Sequence, residues 1–285
     1  MPLPNFSKLN ATIKAAGADW VAGETSLSKF HGTKARTRML GMAYTPEQAF
    51  AALSAARDSD QATFAATPHA ALPSALNWRS KGGQNWITSV KNQETCGSCV
   101  AFAACGVIEA RVRISSNNAN MAIDLSEAHL FYCGTPNSCE TGWYPLQALN
   151  FARTTGIGKE ADFPYVPGNQ PCRMINPVVR VSGIASAGNS MGRKQALQSG
   201  PVIGSMAIFE DFYHYISGVY RHVSGALLGY HAVCIVGYDD AQGCWIAKNC
   251  WGPGWGEAGF FRIRYGECGL DTQFTFDYPG TVTLI

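Results

Sequence analysis

The chain has 285 residues, of which 46% are hydrophobic and 15% are charged. This is enough apolar material for a packed core, and it excludes global disorder. The formal net charge is only +2, and no basic run is long enough to follow a phosphate backbone, so we expect no nucleic-acid partner. No uninterrupted apolar stretch approaches the roughly 18 residues of a membrane-spanning helix, so we expect no membrane span.

The first 70 residues are rich in alanine, threonine and serine and predict short helices and loops. A helix is predicted over Gln48–Arg57. The polar, alanine-rich stretch from Asp58 to Ala71 is typical of an exposed linker. The opening segment, MPLPNFSKLNATIK, lacks the apolar region of a secretory signal peptide, so we expect no such leader in this sequence.

Helical patterns dominate the middle of the chain. About 15 mostly apolar residues follow Cys99 and predict a buried helix, with Cys99 in its first turn and Ser98 as its N-cap. A second helix is predicted over Leu125–Cys133, capped by Ser126, and a third from about Pro145 to Thr154.

The last hundred residues predict strands instead. The segments 201–208, 231–239, 244–251 and 259–266 are rich in β-branched and aromatic residues and are separated by glycine-containing turns. A helical half followed by a β half predicts an α+β fold.

Ten cysteines lie between residues 96 and 268, and none lies in the first 95 residues. Such a set indicates metal or redox chemistry in a cytosolic protein and disulfide bonds in an exported one. The motif Cys96-Gly-Ser-Cys99 allows two interpretations. Both thiols could cycle as a redox dithiol, or Cys99 alone could be a nucleophile at a helix N-terminus, where the helix dipole lowers the pKa of a thiol.

Four motifs favour the second interpretation. They are QETCGSCVAF at Gln93–Phe102, the helix LSEAHLFYC, HAVCIVGYD from His231, and AKNCWGPGWGEAGFFRIRYG around Asn249. In this order and at this spacing they resemble the papain/cathepsin family of cysteine peptidases, over roughly residues 72–285. His231 and Asn249 follow Cys99 by the intervals that this family shows.

The resemblance implies a catalytic set. Cys99 would be the nucleophile, and His231 would be the base that activates it and later protonates the leaving amine. Asn249 would orient the imidazole. Gln93 would donate one hydrogen bond to the oxyanion, and the backbone N–H of Cys99 would donate the other. Trp251 would cover the bond between Asn249 and His231.

It also implies substrate-binding residues. Trp255 would line the leaving-group side of the cleft, and Gly142 would bind substrate backbone, in an alignment uncertain by one residue. The pocket for the P2 side chain, two positions before the cleaved bond, would be lined by Trp143, Ala232 and Ser205, with Gln273 near its floor. We expect this pocket to accept apolar or mixed side chains.

The same resemblance implies two disulfide bonds, Cys96–Cys139 and Cys133–Cys172. Cys268 lacks its usual family partner, so its bridge is either absent or made with another cysteine such as Cys244. We expect the thiols of Cys105, Cys234 and Cys250 to be free.

The resemblance implies a mature enzyme of about 210–220 residues, and residues 72–285 number 214, so residues 1–71 are surplus to the catalytic fold. We expect them to form an inhibitory propeptide, because Trp20-Val-Ala-Gly resembles the short cathepsin B type of prosegment. Residues Met39–Met42 would lie nearest Cys99. The papain-like fold would then comprise a helical L domain (72–182) and a β-barrel-like R domain (183–285), with the active site in the cleft between them.

The sequence therefore predicts a cysteine endopeptidase zymogen that acts on protein or peptide substrates. Endopeptidase action is expected because no His-His pair marks an occluding loop. The alternatives are a thiol–disulfide oxidoreductase, a catalytically silent papain-like binding protein, or a transpeptidase with the same residues. We expect no cofactor or metal, since the cysteines lack zinc spacing. We also expect a monomer in a secreted, lumenal or lysosome-like location.

Overall fold

The structure is a computed structural model and describes residues 5–28, 30, 33–43, 47–48, 51–58, 71–135 and 139–285. Its helices are α1 (Phe6–Ala15), α2 (Thr33–Thr37), α3 (51–58), α4 (Cys99–Ser115), α5 (Glu127–Gly134), α6 (Pro145–Thr154) and α7 (Ser190–Gln198). Its strands are β1 (Val21–Ala22), β2 (Ala75–Asn77), β3 (Val179–Ala187), β4 (Val202–Phe209), β5 (Tyr215–Ser217), β6 (Val219–Tyr220), β7 (Leu227–Asp239), β8 (Cys244–Lys248), β9 (Phe260–Arg264) and β10 (Phe276–Leu284). The predicted α+β class is confirmed. The predicted linker falls mostly on residues 59–70, which lie outside the described part.

Helix α4 is mostly apolar and is buried on every side over most of its length, as expected of a helix in the interior of a protein. Its residues from Cys99 to Val112 are buried, and it packs against β7 and β10. Arg111 is buried near its end and donates hydrogen bonds to the carbonyl oxygens of Pro201 at 2.9 Å and of Gly200 and Pro279 at 3.3 Å. These bonds satisfy the guanidinium and attach the helix to the β half.

The two predicted N-caps differ. Ser126 caps α5 as predicted, because its Oγ accepts a hydrogen bond from His129 N at 2.9 Å. Ser98 occupies the N-cap position of α4, but its side chain does not cap the helix. Its hydroxyl lies 2.8 Å from the hydroxyl of Tyr165 instead, so this part of the prediction is wrong.

An eight-stranded sheet forms the β half, in the order β3-β10-β4-β7-β8-β9-β6, with β2 also paired to β7. Strands β4, β7, β8 and β9 overlap the four predicted segments. The pairing of β4 with β7 sets Ser205 opposite Ala232 and Met206 opposite His231. Directly opposite residues of an antiparallel pair share one face of the sheet, so Ser205 and Ala232 point to the same side.

The predicted domain boundary between residues 182 and 183 falls inside β3, which pairs with β10 along its whole length. That boundary therefore cuts a continuous strand. Sequence periodicity missed it because β3 (VRVSGIASA) and β10 alternate only weakly between buried and exposed residues.

The N-terminal segment lies against the β half. Strand β1 pairs with β5, and the ring of Trp20 packs 5.1 Å from that of Tyr220. The indole N–H of Trp20 donates to the carbonyl of Arg221 at 2.9 Å. Among the described residues, no helix has both the length and the apolar character needed to cross a lipid bilayer.

Candidate active site

The thiol of Cys99 lies where helix α4 meets strand β7. Cys99 is the first residue of α4 and is fully buried. The backbone N–H of Ala232, the residue after His231, points at its sulfur at 3.4 Å. The helical half therefore supplies the sulfur, and the β half places the backbone of Ala232, the residue next to His231, against it.

His231 is held by the residues that follow β8. Its Nε2 lies 2.8 Å from Oδ1 of Asn249, and the ring of Trp251 lies 4.8 Å away at a tilt of 34°. All three side chains are buried. Nδ1 makes no hydrogen bond to any described residue, so it is the ring atom left to exchange a proton. The structure thus brings together the imidazole, the amide and the covering indole that the sequence predicted.

Gln93, the predicted oxyanion donor, is fully buried. Its Nε2 donates to the carbonyl oxygens of Cys96 at 2.6 Å and of Met39 at 3.0 Å. Its Oε1 accepts from the thiol of Cys250 at 2.8 Å. The sequence predicted a free thiol at Cys250, and it is free, but its contact with Gln93 was missed because no pattern links residues 157 positions apart.

The segment Met39–Ala43 fills the cleft over these side chains. The N–H of Trp143 donates to the carbonyl of Gly41 at 2.8 Å, and its carbonyl accepts from the N–H of Ala43 at 3.2 Å. Met42 N donates to the carbonyl of Tyr230 at 3.3 Å. Met42 and Trp143 form a parallel bridge.

The close fit of this segment requires glycine. A Cβ atom on Gly41 would lie 1.9 Å from the carbonyl oxygen of Gly97, and one on Gly142 would lie 2.3 Å from the carbonyl oxygen of Gly41. Both neighbours are backbone atoms, which cannot swing aside as a side chain can. Gly142 also has a φ of +71°, which favours glycine.

Burial under this segment alters both ionisable groups. Burial raises the pKa of the Cys99 thiol to about 11, although the N–H groups of Ala232 and Gly41 oppose the shift. Burial lowers the pKa of His231 to about 4, although Asn249 and the nearby carbonyl of Met39 oppose it. At neutral pH the covered thiol and imidazole are therefore both uncharged.

The predicted P2 pocket is partly corrected. Met42 enters it, and the hydroxyl of Ser205 lies 3.5 Å from its Sδ, with Ala232 beside Ser205. The indole of Trp143 was expected in the pocket wall. It is directed away instead, because its Nε1 donates to Gln147 at 2.9 Å and its ring packs on Gly134.

The expected roles of Gly142 and Trp143 are therefore shifted by one residue. The hydrogen bonds to the segment in the cleft come from the backbone of Trp143, and Gly142 provides close approach. The alignment was ambiguous because an extra residue precedes Pro145 in this turn, and only the backbone pairing resolves it.

Two further predicted residues lie at the edges of the site. Gln273 is exposed, and its N–H donates to the carbonyl of Gly269 at 2.8 Å; its place at the pocket floor stays a prediction. Trp255 is fully buried against Trp251, with ring centroids 5.1 Å apart. Beside it, Ser26 of the N-terminal segment donates its N–H to the carbonyl of Gly254 at 3.0 Å.

A charge cluster surrounds the partly buried side chain of Lys91, with Glu109 and Glu127 buried and Asp124 exposed. The ammonium of Lys91 lies 2.8 Å from Glu127, 2.6 Å from Asp124 and 3.5 Å from Glu109. Burial alone would lower the pKa of Lys91, but Glu109 and Glu127 raise it well above its usual range. No sequence motif marks this cluster, because its members are scattered between residues 91 and 127.

The cysteine pairing decides between the two interpretations of the Cys-Gly-Ser-Cys motif. Disulfide bonds join Cys96 to Cys139 and Cys133 to Cys172, while Cys99 is free. Cys96 is thus tied to the turn before Gly142 and is not paired with Cys99, which disfavours the redox dithiol. Cys244 and Cys268 are both free in the described part of the chain.

A buried thiol at a helix N-terminus, an imidazole–amide pair and a cleft between a helical and a β half define the fold of a cysteine peptidase. A family profile described as "Papain family cysteine protease" matches residues 72–278. The chain belongs to this family and is a cysteine peptidase made as a zymogen.

Relatives and solved structures agree with this assignment. The chain is 32% identical over 239 residues to the gut-specific cysteine proteinase of Caenorhabditis elegans, covering 71% of this chain and 72% of the relative. The digestive procathepsin L2 proteinase of Tenebrio molitor larval midgut is 25% identical, with a TM-score of 0.78 over 96% of this chain and 88% of that one. Procathepsin B S9 of Trypanosoma congolense shares the fold at 22% identity, with a TM-score of 0.80 over 99% of this chain and all of that one.

Proposed function

We propose that this zymogen matures into an endopeptidase in which Cys99 attacks the peptide carbonyl and His231 carries the proton. The observation that supports this most strongly is the arrangement of His231. Its Nε2 is engaged by Asn249 at 2.8 Å, which leaves Nδ1 to exchange a proton with the thiol. The thiolate would form an acyl-enzyme as the amine leaves with a proton from His231, and water would then release the acid.

Gln93 and the backbone N–H of Cys99 would stabilise the oxyanion. In the zymogen the amide of Gln93 already donates to a peptide carbonyl, that of Met39. A donor placed in this way can serve a substrate carbonyl once the segment has left. Trp251 would keep water from the bond between His231 and Asn249.

Residues 1–71 would be removed on maturation. They include the contacts that cover the thiol, from Ser26 at Gly254 to Met42 beside Ser205. These contacts run from the turn that precedes Trp255 to the strand that carries Ser205, which supports an extended cleft and hence cleavage within chains. We propose protein or peptide substrates and a monomer. The two disulfide bonds favour a secreted, lumenal or lysosome-like compartment.

The test is intact-mass spectrometry of the full chain in mild reductant at pH 4.5 and at pH 7. Wild type should lose about 70 residues, and a thiol-directed epoxysuccinyl inhibitor should then add once, at Cys99. The variant Cys99→Ala should do neither. An intact, unlabelled wild-type chain that also stays inactive after genetic removal of residues 1–71 would refute the proposal.

A further inference from the structure

The hydroxyl of Ser205 has one acceptor among the described residues, and that acceptor is a sulfur atom. Ser205 is 2% exposed, and its Oγ lies 3.5 Å from Sδ of Met42. Its neighbour across the strands is Ala232, which offers no polar side-chain atom. When the N-terminal segment leaves, this buried hydroxyl loses its partner within the protein.

A substrate side chain would enter the same pocket. Met42 directly follows Gly41, whose N–H faces the thiol and whose carbonyl is bound by Trp143. The segment pairs with Trp143 in parallel, so the backbone of Trp143 makes its hydrogen bonds to Gly41 and Ala43, the residues on either side of Met42. A substrate in the opposite direction would offer Trp143 the N–H and C=O of the pocket residue itself. Its P2 side chain would then lie where that of Met42 lies.

We infer that Ser205 selects a P2 side chain carrying a hydrogen-bond acceptor in this position, and methionine above its isostere norleucine. This inference rests on the proposed peptidase function and adds a substrate preference to it. Norleucine has the shape of methionine with a methylene in place of sulfur, so it would fill the pocket and leave the hydroxyl without a partner. A neutral hydrogen bond of this kind is worth about a three- to ten-fold difference in kcat/KM.

The experiment uses the enzyme obtained by activating the full chain and two fluorogenic dipeptide substrates that differ only at P2, with methionine or norleucine before a common arginine. Wild type should cleave the methionine substrate about three to ten times more efficiently than the norleucine substrate. In Ser205→Ala this ratio should fall to about one. The ratio compares two substrates of one enzyme preparation, so it is independent of the fraction of active enzyme.

Three results would overturn the inference. A wild-type ratio of one would show that sulfur is not recognised, even if Ser205→Ala failed to fold. A ratio that persists in Ser205→Ala would assign the preference to another group. If neither substrate were cleaved and Cys99 remained unlabelled, the proposed function would fail and this inference with it, whereas cleavage at equal rates would remove the inference alone.

Discussion

The substitution Gly41→Ala should release inhibition without altering the mature enzyme, because residue 41 belongs to the segment that we propose is removed on maturation. The added Cβ would lie 1.9 Å from the carbonyl oxygen of Gly97 and 2.3 Å from its carbonyl carbon. The segment must therefore move, and the two hydrogen bonds between its backbone and Trp143, at 2.8 and 3.2 Å, would be lost or weakened. Loss of both hydrogen bonds, at about 1 kcal/mol each, amounts to about 2 kcal/mol. The open population, meaning molecules whose segment has left the cleft, should therefore increase roughly 30-fold.

The open population can be measured as the rate at which the epoxysuccinyl inhibitor labels Cys99 in the unprocessed full chain at pH 7. Because the covered thiol is neutral and buried, only open molecules react, and Gly41→Ala should be labelled roughly 30 times faster than wild type. Gly17→Ala is the matched control. It has a φ of +66°, but no atom would lie within 4 Å of the added Cβ, so it strains the segment without touching the cleft. Equal labelling rates for Gly41→Ala and Gly17→Ala would refute the reasoning.

Three further outcomes are expected. Burial raises the pKa of Asp277 to about 6. The stability that its protonated form contributes is therefore present below about pH 4 and is lost as the pH rises through about 6. In a urea titration, Asp277→Asn should raise the free energy of unfolding at about pH 7.5 by up to about 3 kcal/mol and change it little at about pH 3.5. Glu109→Gln removes the most distant of the three carboxylates around partly buried Lys91, at 3.5 Å, and should cost only about 1 to 2 kcal/mol in the same titration, because Asp124 and Glu127 still pair with the ammonium. A loss above about 3 kcal/mol would contradict it. Cys250→Ala should lower kcat/KM about ten-fold, because it removes the hydrogen-bond donor to Gln93. Cys250→Ser keeps a donor and should have a kcat/KM close to that of wild type. Equal kinetics for the two variants would show that this contact does not position Gln93.

Much of the site could be predicted from sequence because its chemistry is concentrated in short motifs. The positions of Cys99 and Asn249 relative to their helix and strand follow from local patterns, as does the cap at Ser126. The direction of the Trp143 indole could not be predicted, since it is set by Gln147 and Gly134 across the helical half. A large aromatic residue in a glycine turn fits a pocket wall and a buried core equally well, and only the tertiary packing separates the two.

The predicted domain boundary falls inside a strand for a related reason. Strand β3 begins beside the helical half, where the N–H of Ile157 donates to the carbonyl of Val179 at 2.9 Å, and continues into the sheet. A strand shared by both halves has no composition break at its middle. Sequence therefore indicates the α+β class but cannot assign the strand that joins the helical and β segments.

The N-terminal segment is a poor substrate for the adjacent thiol, because Gln93 and the thiol contact different peptide groups of the segment. The amide of Gln93 holds the carbonyl of Met39, whereas the thiol faces the N–H of Gly41, which belongs to the next peptide group. Attack on a peptide requires one carbonyl whose carbon faces the sulfur while its oxygen meets the oxyanion donors. Because Met42 pairs with Trp143 in parallel, the carbonyl bound by Gln93 and the peptide group that faces the sulfur are not the same group. The uncharged state of the covered thiol and imidazole adds a second barrier, because the neutral thiol is a weak nucleophile. Removing either barrier alone should leave the other in force, so full reactivity requires that the segment leave the cleft.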